Sequence, residues 1–324
     1  MATKDYRQAL NEALREEMAR DESIVLLGED VASNGGSFKV TRDLVDQFGP
    51  SRVLDTPICE STIAGAACGA AMLGLRPVIE IQFIDFSTLS FDMTVNQMAK
   101  FKLMTGGQAP VPIVVRTQGG VGRGAGAQHS QSLEAWYTHI PGLKVVMPAT
   151  AYDAKGLLKS AIRDDDPVVF IEHKMLYSQK DQVPDEEYLV PLGEADIKRQ
   201  GDHLTIFATS RMVSRAMEAA GRLAQQGIEC EILDPRTLVP LDRQAIASSV
   251  KKTSRLLIVQ EAYRRSGFGC EVASWAGEVL FDDLDGPVKI LAGMNSPIPF
   301  NTDLEQMCIP SIQQIVDTVT AMLH

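Results

Sequence analysis

Residues 52–83 read RVLDTPICESTIAGAACGAAMLGLRPVIEIQF, and the fold class turns on them. Arg52-Val53-Leu54-Asp55 is a short strand-like run, closed by the turn signal Thr56-Pro57. From Ser61 to Leu75 the chain is uncharged, rich in alanine and contains three glycines. That segment is too short for the ~20 apolar residues that span a bilayer, so it reads as a buried helix. Pro77 to Phe83 is then a second strand-like run. A strand, a helix and a strand in succession imply parallel pairing, because parallel neighbours need a crossover.

The same alternation extends in both directions. Upstream, Tyr6, Leu10, Leu14 and Met18 recur at i+4 and put one apolar stripe on a first helix, followed by a buried strand from Ser23 to Gly28. Downstream, strands are expected at Ile113 to Thr117, Leu143 to Met147 and Val168 to Glu172. The pattern lapses at Gln179-Lys180-Asp181-Gln182-Val183-Pro184-Asp185-Glu186-Glu187, a charged stretch without apolar periodicity, which reads as a linker. It resumes with strands at Leu204 to Phe207, Cys230 to Leu233, Leu256 to Val259 and Val288 to Leu291. Helices are expected at Met212 to Gln226, Arg243 to Val250, Glu271 to Leu280 and Ile312 to Leu323. Two α/β domains follow, residues 1–178 and 200–324, joined by a linker at 179–199, both with largely parallel sheets covered by helices.

The chain has 324 residues, 31 Lys and Arg against 42 Asp and Glu, and a net charge of −11. The length suits about two domains, and 45% hydrophobic with 23% charged residues excludes a disordered or low-complexity chain. Net acidity without a basic run argues against nucleic acid or an anionic membrane as partner. The residues from Met1 to Gln8 run into charged sequence without the apolar core of a secretory signal. Five widely spaced cysteines, Cys59, Cys68, Cys230, Cys270 and Cys308, suggest neither a disulfide framework nor a zinc site. A cytoplasmic location is the expectation.

Gly119-Gly120-Val121-Gly122-Arg123-Gly124-Ala125-Gly126-Ala127 follows a predicted strand. Gly122-x-Gly124-x-x-Ala127 nearly fits a dinucleotide fingerprint, but no strand ending in a ribose-binding acid follows, so a flexible active-site loop is the better reading. Glu60, at the turn into the alanine-rich helix, has two readings. It either stabilises the helix N-terminus, or it is a buried acid able to give a proton to a ligand nitrogen. Phe83, Phe86 and Phe91 are core aromatics or an apolar wall for a ring. His129, behind the glycines, is the candidate general acid or base, because its ordinary pKa lies near neutrality.

These residues carry a resemblance in combination. Asp55 to Glu60, Gly69 to Pro77, Ala127 to Ser132, Pro141 to Pro148, Asp153 to Leu158, Asp166 to Glu172 and Asp234 to Thr237 together resemble the beta subunit of the thiamine-diphosphate-dependent first component of 2-oxo acid dehydrogenase complexes. The resemblance spans essentially the whole chain. It implies a transketolase-type pyrimidine-binding domain followed by a transketolase C-terminal domain. It also implies that Glu60 hydrogen-bonds the aminopyrimidine of thiamine diphosphate and promotes its imino tautomer, which removes the thiazolium proton. Ile58, Gln82 and Phe86 match positions around that ring, Phe86 stacking on it; Gln82 replaces an apolar residue of some relatives. His129 matches a loop histidine that assists acyl transfer to a lipoyl arm. Ile113, Ala161, Ile162, Asp164 and Asp166 match a structural potassium site, although Asp164-Asp165-Asp166-Pro167 also reads as a solvated turn.

The Gly-Asp-Gly…Asn motif that holds magnesium and diphosphate in stand-alone thiamine enzymes does not occur here. The resemblance therefore implies an alpha subunit that binds them, in a tetramer of two alpha and two beta chains, and a dihydrolipoyl acyltransferase as further partner. The implied reaction is cleavage of acetoin or decarboxylation of pyruvate or another small 2-oxo acid. Two other readings stand beside it. Half of a split transketolase or deoxyxylulose-phosphate-synthase-like enzyme would need convergent basic residues, of which residues 60–131 offer Arg76, Lys100, Lys102, Arg116 and Arg123. In a noncatalytic nucleotide-binding or electron-transfer subunit, Glu60, Phe86 and His129 are structural.

Overall fold

Asp5 starts the first helix with a reciprocal cap: its carboxylate accepts the Gln8 N–H at 2.7 Å, and Gln8 Oε1 accepts the Asp5 N–H at 2.9 Å. The computed structural model describes residues 1–324. In chain order the elements begin β1 (Ala2–Asp5), α1 (Tyr6–Arg20), β2 (Ile24–Gly28), α2 (Leu44–Phe48), β3 (Val53–Asp55), α3 (Glu60–Met72) and β4 (Arg76–Ile81). They continue with α4 (Ala99–Met104), β5 (Val114–Gly119), α5 (Glu134–Thr138), β6 (Lys144–Val146), α6 (Ala151–Arg163), β7 (Val168–His173) and β8 (Lys180–Val183). Then come β9 (Asp196–Arg199), β10 (Leu204–Ala208), α7 (Arg211–Ala224), β11 (Cys230–Asp234), β12 (Thr237–Val239), α8 (Arg243–Thr253) and β13 (Leu256–Tyr263). The last are α9 (Phe268–Val279), β14 (Lys289–Gly293), α10 (Thr302–Met307) and α11 (Ile312–Leu323).

One compact unit comprises Met1–Gly119 and Trp136–Leu192; the other comprises Gly120–Ala135 and Gly193–His324. In the first, strands run β6-β7-β5-β4-β2-β3 and every pair is parallel. The chain steps from β2 to β3 on one side and returns to β4 on the other, so the topology switches direction at β2. Open α/β sheets place ligands outside the carboxyl ends of strands at such a point. Tyr6, Leu10, Leu14 and Met18 are fully enclosed in a core that includes Leu157 and Leu158 of α6, each contributing about 1.5–3 kcal/mol by burial. Lys155 and Lys159 of α6 then reach Glu16 of α1, both at 2.6 Å. In the second unit the order is β14-β13-β10-β11-β9, parallel except that β9 runs against β11. Its core includes Ile206, Phe207, Met212, Ile232, Ile258, Ile315 and Val319.

Three features differ from the sequence reading. The alanine-rich helix α3 buries only one face, through Ile63, Ala64, Ala67, Cys68 and Ala71, while Ser61, Thr62, Ala66 and Gly69 are exposed. It ends in a Schellman turn: Leu75 N–H bonds Ala70 O and Gly74 N–H bonds Ala71 O, with Gly74 at φ 91°. The segment read as a linker contains β8 and β9; β8 pairs antiparallel with β1, from Ala2 opposite Val183 to Asp5 opposite Lys180. The glycine-rich segment, placed by sequence in the first domain, groups with the second unit, because Glu261 and Glu305 bind its backbone.

Candidate active site

The first unit carries Ile58, Glu60, Gln82 and Phe86, the side chains singled out from the sequence, just beyond β3 and β4, with Glu29 just beyond β2. Asp55 closes β3 and accepts the N–H groups of Ala32 at 2.7 Å and Ser33 at 3.0 Å, tying the loop after β2 to the loop after β3. These bonds outweigh a burial penalty and hold its carboxyl below the usual range. Gly28, in register with Glu80, brings the backbones close; a Cβ there would lie 2.9 Å from Glu80 O.

Glu60 is the first residue of α3 and only 5% exposed, and no donor of the protein hydrogen-bonds its carboxylate. At the start of a helix its hydrogen-bonding capacity is therefore unspent. Glu29, just past β2, is also buried; burial first, then the charges of Glu60 and Asp30, raise its carboxyl above the ordinary range. Glu29 and Glu60 are thus coupled electrostatically beside the switch point.

Phe86 opens a short 3₁₀ turn, Phe86–Ser90, and packs on the cluster formed by Ile63, Ala64 and Ala67 of α3 with Ile79 and Ile81 of β4. Phe83 meets it edge-on, with ring centroids 5.3 Å apart. Gln82 is fixed through its backbone oxygen, which accepts Gln118 Nε2 at 2.9 Å. Ile58, between β3 and α3, is 82% exposed. Glu60, Ile58, Gln82 and Phe86 are thus all carried by the first unit around the carboxyl ends of β3 and β4. His129 belongs to the second unit, half-buried, its N–H donating to Gly126 O at 3.4 Å.

Sequence reading missed Glu29 and the buried charges behind the site. Arg116 of β5 donates to Glu80 of β4 at 2.7 Å and to Glu172 of β7 at 2.8 and 3.0 Å, and Tyr177 OH donates to Glu172 at 2.8 Å. Burial disfavours charge on Arg116, but Glu172 and Glu80 outweigh it and raise its pKa. Glu29, as an acid ending a buried run Ile24-Val25-Leu26-Leu27-Gly28, carried a local signal. The triad carried none, since its members meet only through strand register.

The oxygens matched to a potassium site are already acceptors. Arg76 donates to Ile162 O at 3.0 Å and Asp164 O at 2.5 Å, and Lys144 donates to both carboxylate oxygens of Asp164 at 2.8 and 2.6 Å. Ala161 O accepts the Asp164 N–H, Ile113 O accepts the Val168 N–H, and Asp166 pairs with Lys102. Cationic side chains thus serve the oxygens of Ile162, Asp164 and Asp166, and backbone N–H groups serve those of Ala161 and Ile113.

Residues 2–180 match the family description "Transketolase, pyrimidine binding domain", and residues 193–315 match "Transketolase, C-terminal domain". The acetoin:2,6-dichlorophenolindophenol oxidoreductase subunit beta of Bacillus subtilis (strain 168) is 47% identical, over 97% of this chain and 96% of the relative. The pyruvate dehydrogenase E1 component subunit beta of Rickettsia felis is 46% identical over 98% of both chains. That of Rhizobium meliloti is 45% identical over 100% of this chain and 71% of the relative. A solved structure described as a split gene transketolase, inactive beta4 tetramer, superposes with a TM-score of 0.80 at 22% identity, over 98% of this chain and 97% of that one, which speaks for the fold. With both domains matched in order and relatives near 46% identity along the whole chain, this protein belongs to the transketolase-like family of pyruvate and acetoin dehydrogenase E1 beta subunits.

Proposed function

We propose that this chain is the beta half of a thiamine-diphosphate-dependent dehydrogenase component that cleaves acetoin or decarboxylates pyruvate or another small 2-oxo acid, then passes the acyl group to a lipoyl arm. The observation that carries the reading is Glu60, a buried carboxylate with no hydrogen-bond partner at the switch point of the first sheet. The residues around it suit the ring of the cofactor: an acid for a ring nitrogen, Phe86 for its face, Ile58 and Gln82 flanking. Thiamine diphosphate, when bound, supplies the nucleophilic carbon and the electron sink.

Glu60 would exchange a proton with the ring nitrogen through its unpartnered carboxylate. His129 serves acyl transfer. When a lipoyl disulfide takes the acyl group from the cofactor, the new carbon–sulfur bond would replace both the sulfur–sulfur bond and the bond from the acyl carbon to the cofactor, and His129 would give a proton to the departing sulfur. Magnesium and the diphosphate fall to an alpha subunit, in a tetramer of two alpha and two beta chains, and the lipoyl arm belongs to a dihydrolipoyl acyltransferase. The names of the relatives from Bacillus subtilis and Rickettsia felis support acetoin and pyruvate as substrates. The test is cofactor-dependent dye reduction by the chain co-purified with its alpha partner, on acetoin, pyruvate and branched 2-oxo acids, with Glu60→Gln alongside. Full activity in that variant refutes the assignment, and turnover only on sugar phosphates moves the chain to the transketolases.

A further inference from the structure

The glycine-rich loop has the backbone of an anion-binding cradle, and the anion it holds comes from its own chain. Gly120, Gly122, Gly124 and Gly126 all take positive φ, at 81°, 130°, 61° and 76°. This alternation turns successive N–H groups toward one side. Gly122 N–H donates to Glu305 Oε1 at 2.8 Å, and Gly124 N–H donates to Glu305 Oε2 at 2.9 Å. Val121 N–H donates to Glu261 Oε1 at 2.6 Å, and Arg211 Nη1 donates to Val121 O at 3.1 Å. Gly120 N–H closes the loop on Gln131 O at 3.0 Å. Glu305 is fully buried on α10, and a Cβ on Gly124 would come within 3.0 Å of Phe300 O, so the loop lies tightly on the chain that delivers the carboxylate. Charge-assisted bonds of this kind are roughly twice as strong as neutral ones.

We propose that Glu305, with Glu261 beside it, is a positioning residue: its carboxylate fills the cradle of the glycine loop and fixes where residues Gly120–His129 stand for acyl transfer. The proposal rests on the reading of His129 given above. It also means that in the near-dinucleotide fingerprint the N–H groups of Val121, Gly122 and Gly124, which a phosphate would need, are engaged by the chain's own carboxylates.

The test uses the alpha–beta complex with thiamine diphosphate and compares wild type, Glu305→Gln, Glu261→Gln, His129→Ala and the Glu305→Gln/His129→Ala double variant. Three quantities are read: amide exchange of the 119–128 segment, dye reduction with pyruvate or acetoin, and kcat and KM for acylation of a lipoyl acceptor. In Glu305→Gln, exchange at Val121 to Gly124 should quicken by about tenfold or more. Acylation kcat should fall by roughly 10- to 100-fold with KM little changed, while dye reduction stays within about twofold. The double variant should be no slower than His129→Ala. Unchanged exchange, or an equal fall in both half-reactions, overturns the proposal. Loss of acylation in Glu305→Gln but not in His129→Ala discards the histidine reading and keeps the positioning one; the reverse pattern does the opposite. Should Glu305→Gln not assemble, Glu261→Gln carries the same comparison through Val121.

Discussion

Glu134, the first residue of α5, is 3% exposed, and its Oε2 has no hydrogen-bond partner. Burial pushes its carboxyl from an ordinary 4.5 up to about 7, and the charge of Glu261 adds to the rise against a bond from its own backbone. Between these two values the folded chain keeps a proton that the unfolded chain has lost. Stability is therefore greatest below the unfolded value, falls as pH rises through this window and levels off above about 7. At ~1.4 kcal/mol per pH unit, the whole window is worth about 3 kcal/mol. Glu134→Gln removes the titration while keeping the shape. Its stability relative to wild type should rise from pH 5 to pH 7.5 by roughly 2 kcal/mol, the part of the window inside that range, with an offset set by the unpaired amide donors it brings. The assay is urea unfolding of both proteins, midpoint and slope, across that range in one buffer series. Parallel pH curves for the two would refute the reasoning, because a carboxyl that ionises normally when buried contributes no such difference.

Glu60→Gln should lower cofactor-dependent dye reduction by roughly 10²- to 10⁴-fold with the fold intact by circular dichroism; an activity near wild type removes Glu60 from proton transfer. Phe86→Ala should weaken thiamine diphosphate binding to the alpha–beta complex by about 0.5–1.5 kcal/mol beyond lost area, a rise of several-fold in the half-saturating concentration. No change in that concentration would mean the ring is core only. Arg116→Met leaves Glu80 and Glu172 buried without their cation and should cost about 3–5 kcal/mol in unfolding experiments. A loss under about 1 kcal/mol would show that water or Tyr177 replaces the guanidinium.

The sheet of the first unit was legible because its strands are buried on both faces and so read as unbroken apolar runs, from Ile24-Val25-Leu26 to Val168-Val169-Phe170. What escaped depends on pairing at a distance. β1 and β8 are polar and partly exposed, so no periodicity marks them, and their ladder joins residues some 180 apart. Glu60 was visible as an acid at a strand-to-helix turn, but local sequence favoured a residue that stabilises the helix N-terminus over a buried proton donor. Only its burial without a partner separates them. Arg116, Glu80 and Glu172 are scattered over three strands, and nothing local distinguishes them from surface charges until register sets them side by side. The one-sided burial of α3 was illegible for a different reason: alanine and glycine are small enough for either face, so composition predicts packing without saying which side packs.

The glycine loop joins these strands of argument. Repeated glycine was read as licence to move, and it does relieve the cost of positive φ. Yet each N–H that glycine exposes must find an acceptor, and a loop of free donors would be stable only against water or an anion. Glu305 and Glu261 provide that anion from within the chain, where a phosphate-binding protein would leave the cradle for its ligand. The conformation that glycine makes accessible is thus selected by carboxylates about 140 to 180 residues away. On the positioning role proposed for Glu305, His129, only a few residues beyond Gly124, owes its place to that grip. The same loop bears on Glu134: burial is the main reason its carboxyl is pushed up to about 7, and the charge of Glu261, which serves the Val121 N–H, adds to the rise.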